Sequence, residues 1–471
     1  MLSYTSVLGE KRVTECGNKL SFQDAARRIA ARLNKRKITM IHSFHNSGMA
    51  HRVRLTALIS LGIATALQAQ DWPFYHGPST DGSIPVQMGK WPAEGLQPVW
   101  KTKVSDGFSS ITVKGNRAFT LELRNWDGAS QETILALDLK TGQELWAKPL
   151  GSVKLGAAND QGNSGAPDNS GGDGPRSTPT ADGEYVYTCS AKLVVSCFKA
   201  ADGTLVWSKD VIKDFGGRNI NWESAQSPLV EENLLLVAGG GDGRALIAFD
   251  KSSGEVAWKA EDDVMTHSTP VAVNIHGVRQ VIFFTQKGLL SVVPKSGKVL
   301  WRYAFPYGTS TAMTPVVLGD VVFCSAGYHH TAGAVRIERK EGQFSATELW
   351  RDKGKEKINH WSSPVHKDGY VYGVFGFKAY GKAPVKCVEA ATGKEVWSKD
   401  GFGPGNLILV GDKLVVLSDK GELVLVEADP KEYHELGRFQ AVSGKCWSTP
   451  SLANGCLFVR STKEAACFKL P

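Results

Sequence analysis

The chain has 471 residues, of which 42% are hydrophobic and 22% are charged, a composition typical of a globular protein. Its net charge of +8 arises in the N-terminal region, because residues 1–54 hold eleven of the 55 basic residues and three of the 47 acidic ones. The remaining 44 basic and 44 acidic residues balance, so the folded body lacks the electrostatic footprint of a nucleic-acid-binding protein.

Residues 49–69 have the pattern of a secretory signal peptide. A Met and two arginines precede an apolar run at 55–67, and small residues then allow cleavage after Ala66 or Ala69. The run is too short for a membrane span, and no Cys follows it that could carry a lipid. We therefore expect an exported protein, periplasmic or extracellular, with 1–48 an over-called or disordered basic extension; a functional basic arm is the rival interpretation.

A short pattern then recurs along the chain, in which Trp follows four residues after a Gly. It ends a unit of about 42–60 residues that starts near a Ser-Thr-Pro-like sequence and contains four short β-rich segments separated by turns. Four-stranded units repeated at this spacing predict the blades of a β-propeller. The repeated segments are TGQELW, ADGTLVW, SSGEVAW, KSGKVLW and ATGKEVW.

Counting these units predicts an all-β, eight-bladed propeller of four-stranded antiparallel blades over 96–471. The eighth unit begins at "CWSTP" but stops after three strands, so we expect 96–104 to supply its outer strand and close the ring. Residues 71–95 then form an N-terminal tail, whose first part, 71–85, is expected to run over the outside. The outer strands of the first seven blades end near Trp146, Trp207, Trp258, Trp301, Trp350, Trp397 and Phe439.

The recurring Gly and Trp are interpreted first as a packing device. The Gly permits a tight turn that a Cβ atom would strain, and the Trp places a large indole between neighbouring blades. Small residues precede the turns, so Cys197, Cys387 and Cys467 are expected to be packed rather than reactive. Whether Cys456 and Cys467 form a disulfide across the last hairpin stays open. The indoles predicted to dock blades are Trp100, Trp146, Trp207, Trp258, Trp301, Trp350 and Trp397.

The segment "ILALDLKTGQELW" at 134–146 resembles the repeat of the pyrroloquinoline quinone (PQQ) family, and the resemblance covers nearly all of 71–471. It implies the propeller fold and two possible kinds of function. One branch of the family comprises quinoprotein alcohol dehydrogenases, which hold PQQ and Ca²⁺ on the propeller axis. The other branch is the non-catalytic scaffold of the outer-membrane barrel-assembly machinery.

The residues that the dehydrogenase branch requires are not evident in this sequence. It has no adjacent Cys pair, no Asp-rich stretch matching the base and calcium region, and none of the long insertions that enclose the cofactor. We therefore expect neither catalytic residues nor a cofactor, with PQQ and Ca²⁺ as the alternative. Imidazole is a common metal ligand, so metal binding is considered for four histidines, His267, His329, His330 and His360. Their spacing does not define a set of metal ligands, and we therefore expect no metal.

Aligning the blade starts brings one set of residues to the mouth of the central channel. This set could bind a planar or acidic ligand by stacking and charged hydrogen bonds, and Arg176 offers a fork for a carboxylate. The competing interpretation is a polar, solvated channel lining. The candidate ligand-binding residues are Arg176, Glu223, His267, Asn359, His360, Trp361, Lys445 and Trp447.

Together these observations predict an exported, monomeric propeller that acts as a binding or scaffold protein in the cell envelope, with a protein, small molecule or polymer as partner. A PQQ- and Ca²⁺-dependent dehydrogenase of the alcohol or polyvinyl-alcohol type is the first alternative. A polysaccharide-binding protein that uses the tryptophans of the channel mouth is the second.

Overall fold

The computed structural model describes residues 70–152, 173–308, 311–327, 331–354, 357, 359, 361–376 and 381–471. Within these ranges the chain forms eight antiparallel sheets and one short helix, α1 (Val211–Phe215). Seven sheets have four strands, and the eighth gains a short fifth strand. The predicted fold class is therefore confirmed: the protein is an eight-bladed β-propeller.

In the first four blades, consecutive strands run from the inner to the outer position. Their bounds are β3 (Thr112–Lys114), β4 (Arg117–Trp126), β5 (Ala129–Asp138), β6 (Glu144–Ser152); β7 (Thr180–Asp182), β8 (Tyr185–Cys189), β9 (Val194–Lys199), β10 (Leu205–Asp210); β11 (Leu229–Glu231), β12 (Leu234–Ala238), β13 (Leu246–Asp250), β14 (Val256–Ala260); β15 (Val271–Ile275), β16 (Val278–Thr285), β17 (Gly288–Val292) and β18 (Val299–Ala304).

Blades five to seven follow the same order, and blade eight takes its outer strand from the start of the chain. Their bounds are β19 (Val316–Leu318), β20 (Val321–Ala326), β21 (Thr331–Lys340), β22 (Gln343–Asp352); β23 (Val365–Lys367), β24 (Tyr370–Val374), β25 (Val385–Glu389), β26 (Glu395–Lys399); β27 (Asn406–Val410), β28 (Lys413–Leu417), β29 (Glu422–Glu427), β30 (Glu435–Gln440), with β1 (Ser83–Ile84) beside β27; and β31 (Ser451–Ala453), β32 (Cys456–Arg460), β33 (Glu464–Lys469), β2 (Pro98–Lys103).

The N-terminal strand β2 closes the ring, as the sequence predicted. It pairs antiparallel with β33, so that Trp100 lies opposite Cys467. The indole Nε1 of Trp100 then donates to the carbonyl of Leu139 in blade one at 2.9 Å. A buried guanidinium strengthens the same junction, because Arg460 donates to the hydroxyl of Thr120 at 3.0 Å and to the carbonyl of Ser105 at 2.8 Å.

The recurring Gly and Trp meet across the blade boundaries. The indole of Trp207 in blade two donates to the Lys251 carbonyl of blade three at 3.1 Å, and its ring lies where a Cβ on Gly254 would stand. Gly254 also has a φ of +73°, a conformation that favours glycine. The Gly therefore provides both the turn and the space for its neighbour's indole. The same relation links Trp100 with Gly142, Trp146 with Gly203, Trp258 with Gly297 and Trp350 with Gly393.

Two of the predicted docking tryptophans vary this arrangement. Trp397 donates to the Asp429 carbonyl of blade seven at 2.9 Å, where the turn has no matching Gly. Trp301 donates to Gln280 of its own blade at 2.6 Å. Strands β21 and β22 of the next blade have ten residues each, so their turn lies farther along the hairpin than the short Gly turn of other blades.

The Ser-Thr-Pro-like sequences line the channel with hydrogen bonds between blades. The amide of Ser110 donates to the Thr178 hydroxyl at 3.0 Å, and the Thr178 amide donates to the Ser227 hydroxyl at 2.9 Å. The bond from the Thr449 amide to the Ser110 hydroxyl, 2.8 Å, spans the junction between the last and first blades. These buried hydroxyls tie neighbouring inner strands together close to the axis.

The expectation that 71–85 would run over the outside is wrong. This segment crosses one end of the channel and bonds to inner strands of several blades: Pro73 accepts from the Ala181 amide, Thr80 donates to the Ala272 carbonyl, and β1 pairs in parallel with β27. The side chain of Trp72 is fully buried. An aromatic-rich segment buries its rings here, and the inner strands offer it unpaired backbone groups.

The seven cysteines after residue 48 lie in the described part of the chain and are free thiols, six of them buried. Cys197 and Cys387 lie directly opposite Trp207 and Trp397 in the register, where a small side chain leaves room for the indole. No helix in the described ranges is long and apolar enough to cross a membrane.

Candidate functional site

An aromatic cluster marks one side of the channel mouth. The rings of Trp361 and Trp447 have centroids 4.3 Å apart, and Phe108 lies 4.7 Å from Trp447 on another blade. The ammonium of Lys445 lies 4.1 Å from the Trp447 ring centroid and 5.2 Å from that of Phe108. Blades one, six and eight thus contribute to a single cation–π cluster in which both tryptophans remain partly exposed.

Lys445 also links this cluster to a group of carboxylates. Burial lowers the pKa of Lys445 to about 8, and the nearby carboxylates of Asp173, Asp106 and Asp419 partly offset that effect. Burial raises the pKa of Asp419 to about 6, although lysines lie nearby. The mouth is therefore a desolvated environment in which charged groups depend on one another.

Arg176 and its neighbours lie next to this cluster, because the Pro175 carbonyl accepts from the Phe108 amide at 2.8 Å. The Arg176 guanidinium donates to Asp173 at 2.9 Å and to the Trp222 carbonyl at 3.3 Å. The chain's own Asp173 carboxylate therefore occupies part of the fork that was expected to bind a ligand carboxylate, and that ligand role stays a prediction. Glu223 is likewise paired, with Lys192. Burial raises the pKa of nearby Glu132 to about 7, and Arg176 and Lys192 oppose that rise.

His267 lies beside Arg176 as a neutral imidazole. Its Nε2 atom is 3.0 Å from the Asn221 carbonyl, which requires the proton to be on Nε2. Burial, together with the charge of Arg176, lowers the pKa of His267 to about 4. The Nδ1 atom is then an acceptor, buried without a hydrogen-bond partner in the described structure.

The remaining predicted residues are less directly involved. Asn359 is fully buried, and its Nδ2 donates to the Val374 carbonyl at 2.6 Å, so it anchors the segment that leads to Trp361. His360 lies outside the described residues, as do His329 and His330. The structure therefore unites Arg176, Glu223, His267, Trp361, Lys445 and Trp447 around the mouth, with Asn359 behind them.

Sequence reasoning missed the three aspartates of the mouth and did not select Phe108. Asp173 precedes Arg176, the start residue of blade two, by three positions, and Asp419 lies after the second strand of blade seven. Both are buried. A signal existed only for Asp173, which lies in the "GDGPRSTP" segment; Asp106 and Asp419 occupy loops whose convergence depends on closure of the ring.

Unpartnered polar atoms at the mouth are mostly acceptors. The two buried carboxylate oxygens without a partner among the described residues, Asp173 Oδ2 and Asp419 Oδ1, both belong to it. His267 Nδ1 adds a third acceptor, and the amide oxygens of Asn359 and of Asn406, whose Nδ2 donates to the Trp447 carbonyl at 2.7 Å, lie behind the mouth; the one obligate donor among these atoms is Trp447 Nε1. Buried polar atoms without partners are unusual in folded proteins, so this imbalance calls for hydrogen-bond donors at the mouth.

The fold and the repeat define a propeller of the PQQ-repeat class. The family model described as outer membrane protein assembly factor BamB matches residues 130–375 and 381–468. This chain therefore belongs to that family. No curated protein sequence matches the chain.

Solved structures share the propeller fold at low sequence identity. BamB from Moraxella catarrhalis is 12% identical, with a TM-score of 0.54, 80% of this chain and 98% of that chain being covered. The designed protein Ika8 is also 12% identical, with a TM-score of 0.50 and coverage of 78% and 98%. Quinohemoprotein alcohol dehydrogenase from Comamonas testosteroni is 11% identical, with a TM-score of 0.44 and coverage of 86% and 81%. At such identities the likeness establishes the fold alone.

Proposed function

We propose that this chain is an exported, non-catalytic propeller of the cell envelope that binds its ligand at the open mouth of the channel. The observation that carries the proposal is the convergence of Trp361, Trp447, Lys445 and Arg176 from different blades onto one partly exposed site. The tail bonds to inner strands of several blades beyond the blade starts that form the mouth. Membership of a family described as an assembly factor, together with the signal-peptide pattern at 49–69, supports a place in the envelope.

The residues at the mouth do not fit a calcium-held quinone. In the described ranges no three His, Cys, Asp or Glu side chains converge as a metal site. Lys445 and Arg176 lie among the carboxylates where a divalent cation would have to bind, and they would repel it. The ring of Trp447 is crowded by Trp361, Phe108 and Lys445, so the Trp447 indole does not offer an open floor for a planar cofactor.

The experiment is a thermal-shift screen of the purified protein against a metabolite and oligomer library, with calorimetry on every hit. A ligand of the mouth should raise the melting temperature of the wild type but not that of Trp361→Ala or Arg176→Ala. Circular dichroism verifies that both variants remain folded. Unchanged ligand binding in both folded variants would reduce the mouth to a channel lining.

The dehydrogenase alternative is tested on the same preparation. Calorimetric titration with PQQ plus Ca²⁺ should show no saturable heat, and an alcohol with an artificial electron acceptor should show no turnover. Saturable binding and turnover together would replace the binding function with quinoprotein catalysis.

A further inference from the structure

The geometry points to a neutral, hydroxyl-rich ligand at the mouth, which we infer to be a saccharide chain or a sugar at its end. This inference rests on the proposed binding function and names the class of ligand. Its basis is the pairing of unpartnered acceptors with partly exposed indoles at one place in the fold. A sugar presents O–H donors around its edge and C–H groups on its faces, so it satisfies both features at once.

The charges at the mouth disfavour an anionic ligand. The carboxyl groups of Asp106, Asp173, Asp419, Glu132 and Glu223 lie there together with Arg176, Lys192 and Lys445, and Lys420 and Lys463 act on Asp419 and Asp106 from beside them. Arg176 and Lys192 are already bound to Asp173 and Glu223. A further anion would meet unpaired carboxylate oxygens rather than open cationic donors, which is electrostatically unfavourable in a buried setting.

A cationic ligand is disfavoured for a different reason. The favourable position for a cation, on the aromatic rings, holds the ammonium of Lys445, 4.1 Å from the Trp447 centroid. A second cation placed there would be repelled by Lys445 and by the guanidinium of Arg176. A neutral donor can approach Asp173 Oδ2, Asp419 Oδ1 and His267 Nδ1 without either penalty, and each hydrogen bond then satisfies a buried acceptor.

The test uses isosteric changes that reverse the polarity of a single atom. In Asp419→Asn, the oxygen that accepts from the Gly381 amide at 2.7 Å can be kept, while the unpartnered oxygen becomes an NH₂ donor. Asp173→Asn makes the same exchange beside Arg176. A ligand that donates should bind about tenfold more weakly to either variant, which is the loss of roughly one hydrogen bond. An anionic ligand should bind more tightly to both.

The full-length mature protein is first screened on an array of neutral and acidic polysaccharides, and binders are titrated by calorimetry as soluble oligosaccharides. Trp361→Ala should weaken a neutral oligosaccharide at least tenfold, because a stacking surface is lost. Phe344→Ala, which removes a half-buried ring on the outer hairpin of β21 and β22, is the matched control and should leave the affinity unchanged.

The outcomes separate this inference from the function on which it rests. Neutral saccharide binding that is weakened by Trp361→Ala and Asp419→Asn supports both. If the thermal-shift screen finds a different class of ligand that depends on Trp361, the proposed function holds and the saccharide inference is overturned. Absence of neutral saccharide binding, or binding that both folded variants retain, also overturns the inference.

Discussion

The sharpest test of the packing device compares two glycines that share a backbone conformation but differ in surroundings. Gly254 has a φ of +73°, and Gly277 has a φ of +74°. A Cβ on Gly254 would stand 2.6 Å from the Trp207 ring, whereas a Cβ on Gly277 would meet nothing within 4 Å. Alanine at either position therefore introduces the same backbone strain, but only Gly254→Ala also forces a buried indole to move.

The magnitudes follow from these two contributions. Backbone strain in the left-handed region costs about 1–2 kcal/mol for a residue with a Cβ, and this should be the whole effect of Gly277→Ala. Overpacking adds about 1–3 kcal/mol at Gly254, because the Trp207 indole is buried and held by its hydrogen bond to Lys251. In urea titrations, the free energy of unfolding should therefore be clearly lower for Gly254→Ala than for Gly277→Ala.

A third variant isolates the clash. Trp207→Ala should itself cost about 3–5 kcal/mol, the usual range for a buried large aromatic side chain. In that background the extra cost of Gly254→Ala over Gly277→Ala should disappear, since no ring remains to be displaced. Equal effects of the two glycine substitutions in the wild type, or an undiminished excess in the Trp207→Ala background, would refute the account of the repeat as paired turn and indole.

Three further predictions concern other parts of the ring. Arg460→Met should lower the free energy of unfolding by about 3 kcal/mol in a urea titration, because it leaves the buried Thr120 hydroxyl and Leu121 carbonyl of blade one without their donor; a loss below 1 kcal/mol would contradict this role. Burial raises the pKa of Glu132 to about 7, so the folded protein keeps a proton that the unfolded chain loses. The stability of the wild type relative to Glu132→Gln should therefore fall by about 2–3 kcal/mol between pH 4.5 and 7, and a constant difference would refute the shift. Finally, a hydrogen bond from Cys467 lowers the pKa of the half-buried Cys456 to about 7, so Cys456 should be alkylated before the other six described thiols; peptide mapping that finds a buried thiol modified first would contradict this.

The architecture was predictable because the same short sequence pattern recurs in successive blades. A Gly turn, a Trp four residues later and a small residue opposite it recur often enough to count blades and to place β2 as the missing outer strand. These residues can be recognised in the sequence because each pair of contacting residues lies in the same blade or in consecutive blades, at a repeated spacing. The inward direction of the blade starts was predictable for the same reason, and it brought Trp361 and Trp447 together.

The partners of those inner residues were not predictable, because they come from loops without a repeated pattern. Asp173 neutralises Arg176, and Asp419 lies near Lys445, yet neither aspartate occupies an equivalent position in other blades. Their positions depend on ring closure and on the conformation of individual connections. The pairing of Arg176 with Asp173 was missed for this reason: a sequence shows a cation but not the carboxylate that the fold places against it.

The N-terminal tail replaces a packing contact that is missing where the ring closes. In most other blades, the turn before the outer strand receives an indole from the preceding blade. In blade eight, β33 and β2 come from distant parts of the chain, so no such turn connects them to receive the aromatic side chain of blade seven. Gly95, with a φ of +82°, lies just before β2 and leaves room for Phe439, which also packs edge-on against Trp91 at 5.4 Å. The tail thus supplies the missing docking surface before its strand completes the blade. The earlier part of the same segment bonds to the inner strands of several blades, so one segment both completes the ring and ties its inner strands together.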